Sequence, residues 1–311
     1  MYDTLHFWLP SEAIKERGYL NRVSSLLGNP KAHKNLQTNE QYYTGNILAM
    51  STSVSNSGIS LKGSICKSYL GNNFKTLTRQ DTQRAIEQLA DVLILPIQQA
   101  DVKRIDFAQS YIVTSNPESY YTHLGTSNHY KRLVQPKSIY YQNGMRTKLF
   151  YNKVAEGKSK GEIIPEIWLN KNVLRYELRY TRRLLQQFNR ADLKAQELSK
   201  EIFYVSMFDR YIDEYNKIQK NSTINFKLEN MKQPKDFFTQ LLLLKINEIG
   251  QNKVLELVEQ LKAQKVFAHP EYYSRLKADI RKLCKTDEVT ESADLIIELD
   301  KKINQVKEYC R

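Results

Sequence analysis

Up to about residue 190 the chain carries short apolar and aromatic runs in which side chains alternate, separated by turn residues. The runs Thr4–Leu9, Ile47–Val54, Ile59–Ile65, Val102–Phe107, Ser138–Tyr141, Leu149–Lys153 and Leu174–Tyr180 each predict a strand. Between them, Thr78–Leu95 places apolar residues at helical spacing behind a Thr78 cap with Asp81 in the first turn, and Pro117–Leu124 predicts a second helix. The segment Gly157–Ile163 reads as a polar loop. Beyond residue 190 the period changes to three and four over Asp192–Gln219, Lys235–Gly250, Asn252–Gln264, Pro270–Cys284 and Glu291–Lys307. The pattern predicts an α+β fold over residues 1–190, a mostly antiparallel sheet with packed helices, followed by an α-helical domain over 191–311. No internal repeat or low-complexity tract interrupts it.

Three of the strands carry ionisable residues among apolar ones. In Val102–Ala108, alternation puts Arg104, Asp106 and Ala108 on one face and Ile105 and Phe107 on the other. In Leu149–Lys153, Tyr151 and Lys153 share a face, with Phe150 and Asn152 opposite. In Leu174–Tyr180, Arg175, Glu177 and Arg179 share a face. Two readings fit Asp106 and Glu177: ion pairs with Arg104 and Arg175 across neighbouring strands, or hard oxygen ligands that would suit Mg²⁺ or Mn²⁺.

Charge narrows the partner. Lys and Arg number 47 against 34 Asp and Glu, a net charge of +13 spread along the chain, which favours a polyanion such as nucleic acid. Twenty tyrosines suit a surface that stacks bases beside phosphates. A membrane surface is disfavoured, because the charge is not gathered into one amphipathic segment. The opening MYDTLHFWLP is no secretory signal and no window approaches the roughly 18 apolar residues of a span, so a cytoplasmic protein is expected. Cys66, Cys284 and Cys310 form no CxxC pair and read as plain thiols. The histidines His6, His33, His123, His129 and His269 never stand one residue apart, so any metal must rest on oxygen.

Together the three strands suit phosphoryl transfer. A tyrosine hydroxyl, poorly nucleophilic near its usual pKa of about 10, needs a cation or base to attack a phosphodiester. Lys153 is placed to lower that pKa, while Arg175 and Arg179 would hold neighbouring phosphates in fork geometry. The product would be a 5′-phosphotyrosine and a free 3′-hydroxyl.

RIDFA at 104–108, LFYNKVAE at 149–156 and LRYELR at 174–179, in that order, resemble the strand motifs of the filamentous-phage gene II and gene X type replication proteins. They are similar also to those of the Rep_trans rolling-circle plasmid initiators. The opening MYDTLHFWLP and SYLGNNF at 68–74 resemble the phage group too, and the likeness runs over about residues 1–185. It implies a site-specific endonuclease and strand transferase that nicks one strand at a replication origin and later rejoins it. The nucleophile would be Tyr151 with Lys153 beside it, and the metal ligands Asp106, Glu177 and Glu156. Origin DNA, as single strand or as cruciform or supercoiled duplex, is the implied partner, with a host helicase and polymerase.

Other features keep two readings. Gly71-Asn72-Asn73 is a turn, or a place where Asn72 and Asn73 touch DNA; Arg182 and Arg183 form a backbone clamp or a solvated face. Tyr272, Tyr273, Arg275, Lys277 and the Arg281-Lys282 pair form a duplex-binding surface or part of a helical core. A rival class is a non-catalytic basic DNA-binding protein for plasmid or phage maintenance. A tyrosine recombinase is disfavoured, since the Arg…His-x-x-Arg…Tyr order is missing.

Overall fold

The computed structural model describes residues 1–221, 223–224, 232–284, 290–291 and 294–309. They form two compact units, one of Met1–Tyr121, Ser127–Ile218 and the residues from Leu299 onward, the other of Thr122–Thr126 with Gln219–Glu298. The strands are β1 (Tyr2–Pro10), β2 (Gly28–Lys34), β3 (Gln41–Ile47), β4 (Met50–Ser55), β5 (Gly58–Ser64), β6 (Asp101–Ile112), β7 (Leu124–Ser127), β8 (Lys131–Gln135), β9 (Ser138–Gln142), β10 (Arg146–Asn152), β11 (Val173–Tyr180), β12 (Ile218–Lys220), β13 (Thr223–Ile224) and β14 (Thr290–Glu291). The helices are α1 (Tyr19–Leu26), α2 (Ile65–Leu70), α3 (Arg79–Leu93), α4 (Pro117–Tyr121), α5 (Lys153–Ser159), α6 (Leu184–Phe188), α7 (Glu201–Asn216), α8 (Pro234–Ile249), α9 (Gln251–Ala263), α10 (Glu271–Cys284) and α11 (Asp294–Asn304). The α+β class expected from the pattern is the one observed.

In the first unit, ten of the described strands make one sheet in the order β2-β3-β4-β5-β1-β6-β11-β10-β9-β8, with every neighbouring pair antiparallel. One face of its centre is aromatic. Phe150 stacks on Tyr176 at 4.4 Å, and Tyr176 and Phe107 meet Tyr211 and Phe208 of α7. α7 buries Tyr204, Met207, Phe208, Tyr211 and Tyr215, a stripe at spacing three and four that covers the sheet. The first strand reaches this face through a bulge: Tyr2 pairs with Phe107 but Leu5 with Ile105, so an extra residue lets Tyr2 and Leu5 bury on the same side. α3 begins as its sequence predicts, with a Thr78–Asp81 capping box.

Several elements differ from expectation, each for a local reason. Ile47–Val54 is two strands, because the chain turns at Leu48, where φ is 52°. β10 stops at Asn152, whose side-chain oxygen accepts from Ala155 N and caps α5; Lys153 is therefore helical, and the first residues of the expected Gly157–Ile163 loop belong to that helix. The Pro117 helix ends at Tyr121, and the long helix expected over Asp192–Gln219 begins only at Glu201, after a 3₁₀ turn. The polar strand β2, exposed along its length apart from half-buried His33, carries no apolar alternation to announce it. A boundary near residue 190 gives way to a division after Ile218, because α7 supplies one wall of the first unit's core.

In the second unit α8, α9 and α10 share a small core of Ile246, Val258, Tyr273 and Ile280. Tyr273 is thus a core residue, while Tyr272 is 43% exposed. Cys66 and Cys284 are free thiols, burial pushing Cys66 up to about 12; Cys310 lies outside the described residues. No helix among the described residues is long and apolar enough to cross a membrane.

A charged candidate active site opposite the aromatic face

Side chains alternate across the sheet, so the strands that bury aromatics on one face present their charged residues on the other. In register, Tyr151 of β10 stands opposite Arg175 of β11, while Arg175, Glu177 and Arg179 stand opposite Ser110, Ala108 and Asp106 of β6. Arg104, Asp106, Tyr151, Arg175, Glu177 and Arg179 therefore meet on one face, as the sequence predicts. Tyr151, Glu177, Asp106, Arg104, Arg179 and Asp3 line a cavity of about 480 Å³ there.

The centre of the site is a phenol bonded to a carboxylate. The Tyr151 hydroxyl donates to Glu177 Oε1 at 2.6 Å. Burial, and then the charge of Glu177, push the phenol well above its ordinary value, with Arg175 working the other way. Glu177 also accepts from Arg175 Nε at 3.0 Å and from Arg179 Nε and Nη2 at 2.9 and 2.7 Å. Burial disfavours its charge, but Arg179, Arg175 and the Tyr151 hydroxyl outweigh that and hold the carboxylate below its usual range. Asp106 accepts from Arg104 in a fork, Nε at 2.8 Å and Nη2 at 2.6 Å. There burial dominates and pushes Asp106 up to about 6, against the pull of Arg104 and Arg179.

The ion-pair reading of Asp106 and Glu177 therefore holds, with partners two residues away on their own strands. The expected metal set is not assembled. Arg179 lies between the two carboxylates, 2.7 Å from Glu177 and 3.7 Å from Asp106, so a guanidinium fills the position a shared cation would take. Glu156 instead pairs with Lys153 and Lys160. No group of three or more His, Cys, Asp or Glu among the described residues is placed to hold a metal, and the donors as they stand do not fit Mg²⁺ or Mn²⁺.

Other expected roles shift as well. Arg175, expected at a phosphate, is wholly buried: it donates to Asp3, Asn73 O, Ser110 and Glu177. Lys153 is also buried, bonded to Glu156 at 2.8 Å, 3.7 Å from Glu162 and 5.1 Å over the Phe74 ring. The cation named as acting most on Tyr151 is Arg175, which also holds the Glu177 oxygen that meets the hydroxyl. Asn72 closes its own turn, accepting from Phe74 N, and Asn73 points inward to Asp3, so the Gly71 turn is structural. Arg182 and Arg183 are exposed beyond the end of β11.

Sequence reasoning missed Asp3. It stands just before the expected Thr4–Leu9 run; the observed strand starts at Tyr2, and a bulge between Tyr2 and Leu5 turns Asp3 to the charged face.

A family model for the N-terminal part of a phage replication-associated protein, the filamentous-phage gene II product, matches residues 1–210. The chain belongs to that family. The match spans the ten-stranded sheet and runs into α7, the helix that completes the sheet's aromatic core. Membership in the gene II family supports a role in phage replication initiation, with origin DNA as the implied partner. A search of curated proteins finds no match.

Proposed function

We propose that this protein starts replication by nicking one strand of origin DNA with Tyr151 as the nucleophile, and later rejoins it. The observation that carries this reading is the 2.6 Å bond from the Tyr151 hydroxyl to Glu177 at the wall of a cavity that Arg104 and Arg179 also line. A buried phenol needs its proton taken as it attacks, and Glu177 is already the acceptor. The phenol oxygen bonds to phosphorus as the P–O3′ bond breaks. The phenol proton passes to Glu177, and the 3′-oxygen leaves as a hydroxyl with a proton from water. The DNA keeps a 5′-phosphate ester of Tyr151, and attack by a 3′-hydroxyl on that ester reverses the step. Arg104 and Arg179, about a quarter exposed at their side chains, are the guanidiniums able to meet the non-bridging oxygens, where charge grows during transfer. Recruitment of a host helicase and polymerase belongs to the proposal without entering its steps; dependence on Mg²⁺ or Mn²⁺ would require the Arg179 guanidinium to move off the two carboxylates.

The test is a denaturing gel of the protein with a labelled origin strand, with and without EDTA, followed by mass spectrometry of the linked peptide. A covalent product on the peptide containing Tyr151, lost in Tyr151→Phe, is expected. DNA binding with no adduct under either condition would leave the non-catalytic maintenance protein as the reading.

A further inference from the structure

The buried charge beneath the site runs further than the reaction requires. Arg175 is 0% exposed, and each nitrogen of its guanidinium has a partner. Nη2 donates to Asp3 Oδ2 at 2.6 Å, Nη1 to Asn73 O at 2.7 Å and Ser110 Oγ at 3.0 Å, and Nε to Glu177 Oε1 at 3.0 Å. Asp3 is fixed in turn by Ser64 Oγ at 2.6 Å and by Asn73 Nδ2 at 3.3 and 3.2 Å. Asn73 Oδ1 is buried with no hydrogen-bond partner among the described residues, so this amide is held where it serves Asp3.

A buried Asp–Arg–Glu chain is a poor device for stability alone, because desolvating three charges offsets most of their attraction. What it supplies is direction. Oε1 of Glu177 is the oxygen that meets Tyr151, and it is the same oxygen that Arg175 Nε holds. Arg175 is pinned at its other end by β1 and by the turn after α2. We infer that Asp3 and Asn73 are positioning residues which, through Arg175, aim the Glu177 carboxylate at the Tyr151 hydroxyl. This inference rests on the nicking reading for its consequence, but its geometry can be tested apart from activity.

The variant Asp3→Asn keeps the shape and removes the charge. In full-length protein with ¹³Cζ-labelled tyrosine, the Tyr151 resonance, identified by its loss in Tyr151→Phe, is expected to shift as the bond to Glu177 loosens. Single-turnover nicking at saturating oligonucleotide should fall by about 10- to 100-fold with DNA affinity within about twofold, the usual scale for losing an orienting partner. Asp3→Glu should restore part of the rate. Asp3→Asn added to Glu177→Gln should cost little beyond Glu177→Gln alone. Should Asp3→Asn not fold, Asn73→Ala, which removes one donor to Asp3 and keeps the backbone carbonyl, should shift the same resonance and slow nicking in the same direction. An unmoved Tyr151 resonance, or losses that multiply in the double variant, would overturn the inference. Absence of any adduct in the wild type would instead remove the nicking reading, and the resonance would still decide whether Asp3 holds the pair.

Discussion

Tyr151 and Glu177 are diagonal neighbours on adjacent antiparallel strands: Tyr151 is registered against Arg175, yet its hydroxyl reaches past that residue to Glu177 at 2.6 Å. Diagonal pairs lie about 7–8 Å apart at their backbones, within reach of a long aromatic side chain. Glu177→Gln keeps the shape and removes the proton acceptor. Single-turnover adduct formation should drop by about 10²- to 10⁴-fold, the range for losing a general base, while oligonucleotide affinity changes little.

The guanidiniums should separate by burial. Arg104→Gln and Arg179→Gln should weaken DNA binding across sequences and each lower the salt slope of binding by about 1, as loss of one phosphate contact does. Arg175→Gln should act on folding, costing on the order of 3–5 kcal/mol in urea denaturation, because it leaves Asp3 and Glu177 buried without their cation.

An occupied carboxylate is a poor metal ligand. Asp106 and Glu177 already hold Arg104 and Arg179, so Mn²⁺ added to the protein without DNA should bind more weakly than to Arg179→Gln, where the cation between the carboxylates is gone. Electron paramagnetic resonance of free Mn²⁺ would measure both.

Acid should also destabilise the protein through a carboxylate outside the site. Glu214 of α7, buried against Lys148, Arg146 and Lys217, is held from its ordinary 4.5 down to about 2: burial raises it, but Lys148 first and then its hydrogen-bond partners outweigh that. A lowered carboxylate contributes stability above its unfolded value and loses it as pH falls through the folded one. The wild type should therefore lose about 3 kcal/mol between about pH 5 and pH 2 that Glu214→Gln does not, read from urea midpoints across that range.

The charged face was legible because alternation is strict: Arg104 with Asp106, and Arg175 with Glu177 and Arg179, share a side by parity alone. Parity says nothing of depth. Arg175 and Arg179 are four residues apart on one strand, yet one is sealed and the other open, because Asp3 and the Asn73 turn cover the first. Lys153 departs from its expected place for a local reason, the Asn152 cap that ends the strand one residue early. Asp3 stayed hidden because its face depends on a bulge, and the extra residue appears only in the pairing of β1 with β6. β2 carries no large apolar residue, and no periodicity marks a strand whose faces both meet water.

The strand order has a temporal consequence. β1 pairs with β6, and β6 is joined to β10 only through β11, so residues early and late in the sequence must be brought together before Tyr151 faces the groups around it. Such distant pairings close late in folding. On a ribosome, a nascent chain cut short before residue 173 would hold the phenol without its acid, so under the nicking proposal an unfinished product of the gene would form no adduct with DNA.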